Sequence, residues 1–394
     1  MYKRVDYKTI IERMNEPRKF IQVIVGPRQV GKTTMVTQAM EQLNIPHLFF
    51  SADNIYASDE WLAEKWQSAR LMVQSRQPEQ LILVIDEVQK IPNWSERVKK
   101  EWDLDTFNRM PIKLVLLGSS RLMIMNGLTE SLAGRFELIR MTHWTYSEMH
   151  EAFGWDLDTY IYYGGYPGAA EMIADEDRWR AYVENAILEA SINKDVLQTS
   201  NIYKPALLRQ LFTMCCAYSG EELSFRKMLG NLQEAGNATT LANYLQLLAE
   251  ANLVSGLQKY ARDKARKYSS TPKLQVFDNA LMNVYNQTTF GSVRTDAALW
   301  GRQVESAVGS YLLSQAEKHR MQVYYWRENN AEVDFILQRG LSVVAIEVKS
   351  NNARTNAGLH LFSSKYKPLQ AFVVGNEGMP LADFLQTDLR LLFR

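Results

Sequence analysis

The chain has 394 residues, 46% of them apolar and 23% charged, the balance of globular proteins and roughly enough length for two to four domains. Lys plus Arg number 45 and Asp plus Glu 44, which excludes a global electrostatic pull toward nucleic acid or anionic membrane and leaves only local patches. The two cysteines, Cys215 and Cys216, are adjacent, a spacing that rarely closes a disulfide. The opening Met1-Tyr-Lys-Arg-Val-Asp6 has no apolar signal core, and no run approaches the roughly 18–20 apolar residues of a membrane span. These features together predict a cytoplasmic protein with no membrane role.

Residues 1–15 read as a short amphipathic helix, followed by a strand over Phe20–Val25. Further apolar runs lie at His47–Phe50, Leu81–Ile85, Lys113–Leu117 and Glu137–Met141, with helical patterns at 33–43, 59–75 and 94–108 between them. Continuous apolar strands alternating with helices predict an α/β fold with a parallel sheet buried on both faces. From about 142 to 200 the pattern is helical, broken at Gly164-Gly165-Tyr166-Pro167. Helices are expected at 204–218, 224–235 and 239–251, with strands around 253–260 and 273–277. Three helices plus a hairpin is the winged-helix order. From about 300 the order is helix (303–318), strands (322–326, 332–338, 342–348), helix (355–364) and strand (370–374), a small α/β domain. The expected division is 1–142, 143–202 (a helical lid), 203–272 (winged helix) and 273–394.

Gly26-Pro27-Arg28-Gln29-Val30-Gly31-Lys32-Thr33 matches G-x-x-x-x-G-K-[ST] between a strand and a helix, and Thr34 follows it. Glycines let backbone N–H groups wrap phosphates, and the helix N-terminus adds partial positive charge. Lys32 is expected to reach the β- and γ-phosphates of ATP, and Thr33 to ligate Mg²⁺. The run Leu81–Ile85 delivers Asp86 to the sheet edge as a second Mg²⁺ partner, and Glu87 to polarise the attacking water. Ser119 and Ser120 end the next strand; a hydroxyl there faces the γ-phosphate, or else caps a helix. Arg135 precedes the last strand, where it reaches a neighbouring subunit's γ-phosphate in an oligomer or forms a surface salt bridge.

These segments, with Ile85-Asp-Glu-Val-Gln89, Leu117-Gly-Ser-Ser120, Ser131-Leu-Ala-Gly-Arg135, Tyr325-Trp-Arg327, Glu332-Val-Asp-Phe335 and Ile346-Glu-Val-Lys-Ser350, resemble the prokaryotic AAA+ ATPases that carry a C-terminal DUF4143 domain. The resemblance spans essentially the whole chain. It implies a P-loop AAA+ sheet of strand order 5-1-4-3-2 with a helical lid, and places Gly165 and Pro167 near the adenine; the turn's other reading is a simple helix end.

In the C-terminal part, alternation puts Glu347 and Lys349 on one strand face. Hairpin pairing would bring Asp334 beside Glu347, and Glu305 lies on the preceding helix. Asp…Glu-x-Lys resembles the PD-(D/E)XK nuclease core, in which two carboxylates hold Mg²⁺ or Mn²⁺ and a lysine activates water. The Pro of that motif is missing, and the other reading is an inactive relic with Glu347 paired to Lys349 or Arg327. Thr239-Thr-Leu-Ala-Asn-Tyr-Leu-Gln-Leu-Leu248 is the candidate recognition helix, with Leu241, Leu245 and Leu248 inward and Thr239 or Thr240 as cap. The turn Lys259–Lys267 holds five cations and one acid, a wing suited to DNA phosphates or simply a solvated tip. The combined expectation is an oligomeric ATPase acting on DNA as a motor or ATP-gated nuclease, or a nucleotide-gated switch for a protein partner.

Overall fold

A computed structural model of the chain describes residues 2–53, 58–119, 124–125, 127–128, 131–197, 202–232, 236–262, 270–286, 288–350 and 356–394. It divides into two units, Met1–Met141 and Thr142–Arg394.

The first unit holds strands β1 (Ile21–Val25), β2 (His47–Ser51), β3 (Leu81–Asp86), β4 (Ile112–Gly118) and β5 (Phe136–Arg140). All pair in parallel, in the order β2-β3-β4-β1-β5, which is the expected 5-1-4-3-2. Every residue of β1, β3 and β4 is buried. Aliphatic side chains on both faces are what a parallel sheet covered by helices requires. Helices Lys32–Gln42, Asp59–Arg76 and Trp94–Phe107 connect the strands. The register aligns the C-terminal ends of β1, β3 and β4 on one edge: Val25 lies opposite Gly118, and Ile85 opposite Leu116.

A buried ionic cluster ties two of these helices together. Arg70 donates to Asp105 Oδ1 (2.7 Å) and Glu101 Oε2 (2.7 Å), and the Trp66 indole donates to Asp105 Oδ2 (2.6 Å). Asp105 is fully buried, so all of its charge is met inside the protein.

In the second unit, helices Pro205–Ala217, Phe225–Asn231 and Ala238–Glu250 precede the hairpin β6 (Val254–Lys259) and β7 (Lys273–Val276). Leu241, Leu245 and Leu248 face inward as expected. The helix cap is Asn237, which accepts from Thr240 N at 2.8 Å, and not Thr239 or Thr240. An Asx side chain one residue before the helix reaches the free N–H groups that a threonine inside the first turn cannot.

The hairpin does not stand apart. Strands β8 (Gln322–Glu328), β9 (Ala331–Arg339), β10 (Ser342–Lys349) and β11 (Gln370–Gly375) form with it one six-stranded sheet, β11-β10-β9-β8-β6-β7. β6 pairs in parallel with β8 through Gln258 and Lys259. A boundary at 272/273 therefore falls inside a hairpin. The helical segment before it is welded into the same unit. Asn279 donates to Ile161 O (2.7 Å), Asn283 to Tyr162 O (2.7 Å), and Gln303 to Asn283 Oδ1 (2.6 Å). All three amides are buried, where unsatisfied polar groups would be expensive. Among the described residues no helix is long and apolar enough to cross a membrane.

Candidate active site

β1 ends at Val25, and the chain turns through residues 26–31 into helix Lys32–Gln42. Gly31 adopts φ +87°, a left-handed conformation that glycine takes without strain. At Gly26 a side chain would run into the Met141 backbone, so the loop leaves the sheet only because this position has no Cβ. Pro27 and Val30 are buried, Gln29 exposed and Arg28 between them. Arg4 donates to Val30 O (3.2 Å), bracing the loop from behind. The loop thus presents its backbone rather than its side chains to the concave edge.

The Lys32 ammonium, 7% exposed, donates to Gly26 O (2.9 Å) and Pro27 O (2.6 Å). It lies folded across the mouth of its own loop, where phosphate oxygens would be better partners than neutral carbonyls. Thr33 and Thr34 are exposed on the first helical turn. Thr33 Oγ1 donates to Asp86 Oδ2 at 2.9 Å, and Asp86 Oδ1 accepts from Glu87 N at 2.9 Å. Loop and strand end, 53 residues apart, therefore meet at one point. Burial pushes the Asp86 carboxyl above the ordinary carboxylate value; the Thr33 hydrogen bond opposes the shift, and the charge of Glu87 adds to it.

Glu87 takes a left-handed φ of +53°, a conformation with a steric cost for a residue with a Cβ. It swings the carboxylate back under β4. There Glu87 Oε2 accepts from Gln89 Nε2 (2.8 Å) and Ser119 Oγ (3.2 Å). Gln89 Nε2 also approaches Ser119 Oγ (3.4 Å). The Ser119 hydroxyl is thus joined to the Glu87 carboxylate, while Ser120 lies outside the described residues. Gln89 belongs to the Asp-Glu segment, but sequence reasoning gave it no role. Its spacing from Glu87 carries no signal, because a short 3₁₀ turn, Val88–Lys90, brings the two together.

Arg135 makes a two-pronged ion pair with Asp103, Nε to Oδ1 at 2.8 Å and Nη2 to Oδ2 at 2.9 Å. That is the surface salt bridge named as its alternative. Gly165 and Pro167 belong to the second unit. Gly165 N donates to Asp278 Oδ2 (2.7 Å), and a Cβ at 165 would meet Trp144 O. Pro167 opens the 3₁₀ turn Pro167–Met172.

The donor set at the first-unit site fits Mg²⁺. A hydroxyl and a buried carboxylate lie within hydrogen-bond distance, the hard oxygen ligands this ion prefers.

The C-terminal residues also converge. Asp334 and Glu347 stand on adjacent antiparallel strands, one step beyond the Phe335–Ile346 pair. Asp334 Oδ2 accepts from Val348 N (2.8 Å), and Lys349 Nζ donates to Glu347 Oε1 (2.6 Å). Arg327 pairs with Glu222 (3.0 Å). Lys273, on the hairpin strand β7, was missed. Its ammonium lies 2.6 Å from Glu305 Oε1 and 3.8 Å from Asp334 Oδ1. Burial pushes the Glu347 and Glu305 carboxyls up, Asp334 adds to both shifts, and the neighbouring lysines oppose them. This cluster does not fit a divalent ion. Two ammonium groups already occupy the carboxylates, and among the described residues no group of three or more His, Cys, Asp or Glu could hold a metal.

Three family models match along the chain. Residues 18–150 match the model of an AAA domain, residues 154–290 that of a domain of unknown function (DUF8612), and residues 300–386 that of a domain of unknown function (DUF4143). This is an AAA protein with a C-terminal DUF4143 domain. Two uncharacterized proteins, of Mycobacterium bovis and Mycobacterium tuberculosis, are each 24% identical to this AAA–DUF4143 chain over 338 residues, 83% of it and 69% of theirs. Among solved structures, a Walker-type ATPase of Pyrococcus abyssi is 11% identical with a TM-score of 0.47, covering 72% of this chain and 95% of its own. The Thermotoga maritima RuvB Holliday junction branch migration motor is 16% identical with a TM-score of 0.33, covering 67% and 93%. The Aeropyrum pernix ORC1 protein in complex with DNA is 12% identical with a TM-score of 0.32, covering 73% and 92%.

Proposed function

We propose that the chain binds MgATP at the 26–34 loop and hydrolyses it. The observation that carries this reading is the 2.9 Å contact from Thr33 Oγ1 to Asp86 Oδ2, which joins the two halves of a phosphate-and-metal site. Lys32 exchanges its two carbonyl partners for β- and γ-phosphate oxygens. Thr33 and Asp86 would hold Mg²⁺, which when bound would offset the phosphate charge. Glu87 orients a water toward the γ-phosphorus and accepts its proton as the bond to the bridging oxygen breaks, releasing ADP and phosphate. Ser119 and Gln89 hold Glu87 in place for that step.

The work done with ATP is assigned to DNA, through the three-helix and hairpin module, with homo-oligomers as the working form. The basic turn suggests the assignment: Lys259 ends β6, the Arg262 guanidinium lies 5.7 Å from the Tyr366 ring centroid, and Lys264, Arg266 and Lys267 lie outside the described residues. Arg135 would leave Asp103 for a neighbour's γ-phosphate in such an oligomer. The alternative, a nucleotide-gated switch for a protein partner, gains from one observation: the nuclease-like carboxylates are already neutralised by Lys273 and Lys349. Phosphate release with and without single-stranded, duplex and branched DNA separates the two. Stimulation by DNA, lost in Lys32→Ala, is expected. A rate indifferent to DNA, with ATP-dependent assembly in sedimentation, would instead establish the switch.

A further inference from the structure

The C-terminal cluster contains a cation that its strand motif does not supply. Lys273 is rooted on β7, all four residues of which are buried. Its side chain is enclosed by Glu305 from helix Ala297–Lys318, by the Asp334 carboxylate and by Asp334 O at 3.4 Å. The Phe335 ring lies below the ammonium, its centroid 5.0 Å away. A buried ammonium held by two carboxylates, a carbonyl and an aromatic face has its charge met inside the protein.

On the other side of Asp334, Glu347 is 5% exposed, and its Oε2 is buried with no hydrogen-bond partner. Such an oxygen, next to a second carboxylate, is where a cation would be held. Any divalent ion on Asp334 Oδ1 would stand no more than about 6 Å from the Lys273 ammonium, given a metal–oxygen bond of ~2.1 Å. Lys349 closes the remaining Glu347 oxygen. Three carboxylates thus face two fixed ammonium groups, and little net charge is left to attract a divalent ion.

We propose that Lys273 is a built-in cation that occupies the divalent-metal place of the C-terminal domain, so that the natural chain is closed to Mg²⁺ and Mn²⁺ there and neutralising this one side chain uncovers a metal site on Asp334 and Glu347. The domain then serves as a nuclease-like scaffold held by an internal ion cluster that spans hairpin, helix and sheet. The inference is independent of the ATP site.

The test is Mn²⁺ titration of nucleotide-free full-length protein, with free Mn²⁺ read by electron paramagnetic resonance. Asp86→Asn is included throughout to remove the first-unit ligand. With Lys273 present, no binding that depends on Asp334 is expected up to several millimolar. Lys273→Met and Lys273→Gln are each expected to gain one ion at roughly 0.1–1 mM, the range of weak carboxylate sites. Adding Asp334→Asn, which keeps an oxygen for the Val348 N–H, abolishes the gain. A melting transition shows which variants are folded. Binding sensitive to Asp334→Asn while Lys273 is intact would overturn the proposal, and that arm needs no variant at 273. So would folded Lys273→Met and Lys273→Gln proteins that take up no ion.

Discussion

Gln89→Ala removes the shortest hydrogen bond to the proposed catalytic carboxylate, 2.8 Å from Nε2 to Glu87 Oε2, and leaves the 3.2 Å bond from Ser119. A hydrogen bond to a charged group is worth about 1.5–3 kcal/mol. If that energy is what keeps Glu87 aimed at the water, kcat falls roughly 10–150-fold at 1.36 kcal/mol per decade. KM for ATP stays within about threefold, because the Gln89 amide bonds to Glu87 and Ser119 rather than to the phosphate-binding loop. The fold loses little, since Gln89 Oε1 is buried without a partner and its removal relieves a penalty of roughly 1–3 kcal/mol. Steady-state phosphate release, beside a thermal melt, measures both effects. An unchanged kcat in a folded Gln89→Ala protein would refute the positioning role; a fall in stability with no change in kcat would make Gln89 a packing residue.

Asp105→Ala leaves the Trp66 indole without its acceptor and Arg70 with Glu101 alone, and urea unfolding should show a loss of roughly 2–4 kcal/mol. Arg135→Ala breaks an exposed pair with Asp103, so monomer stability should change by less than about 1 kcal/mol; ATP turnover that nonetheless falls steeply with the protein assembled would place the arginine at a neighbour's phosphate, and unchanged turnover would leave it a surface salt bridge. Burial pushes the Asp278 carboxyl up from 3.8 to about 7, opposed by the Ala280 and Gly165 N–H groups. Because the folded pKa is the higher one, the contribution is full below the unfolded value and is lost as pH rises to about 7. Melting temperature should therefore decline over that window, and Asp278→Asn should flatten the decline; a wild-type curve already flat from pH 4 to 7 would contradict it.

The first unit was legible because its signals are local. Five aliphatic residues running into Asp86-Glu87 fix both the strand and the place where it stops, and the glycine pattern fixes the loop that meets it. Strand order came from family resemblance rather than periodicity, which cannot say which strands neighbour which. In the second unit, alternation placed Glu347 and Lys349 on one face and hairpin pairing brought Asp334 beside them. Lys273 was invisible, because its partners Glu305 and Asp334 come from elements that only the tertiary fold gathers. For the same reason the hairpin read as the end of one module, when parallel pairing of Gln258 and Lys259 with β8 makes it part of the next. Gln89 was hidden by a one-turn 3₁₀ segment, and the Asn237 cap by two threonines that looked better placed.

The most direct test of the ATP site is a paired measurement of ATP binding and hydrolysis on the natural chain, Lys32→Ala and Glu87→Gln. The account predicts that the natural chain binds and turns over MgATP and that Lys32→Ala does neither. Glu87→Gln should hold ATP with near-natural affinity while turnover falls roughly 10²–10⁴-fold. A natural chain that ignores millimolar ATP, or Glu87→Gln turning over at the natural rate, would contradict it.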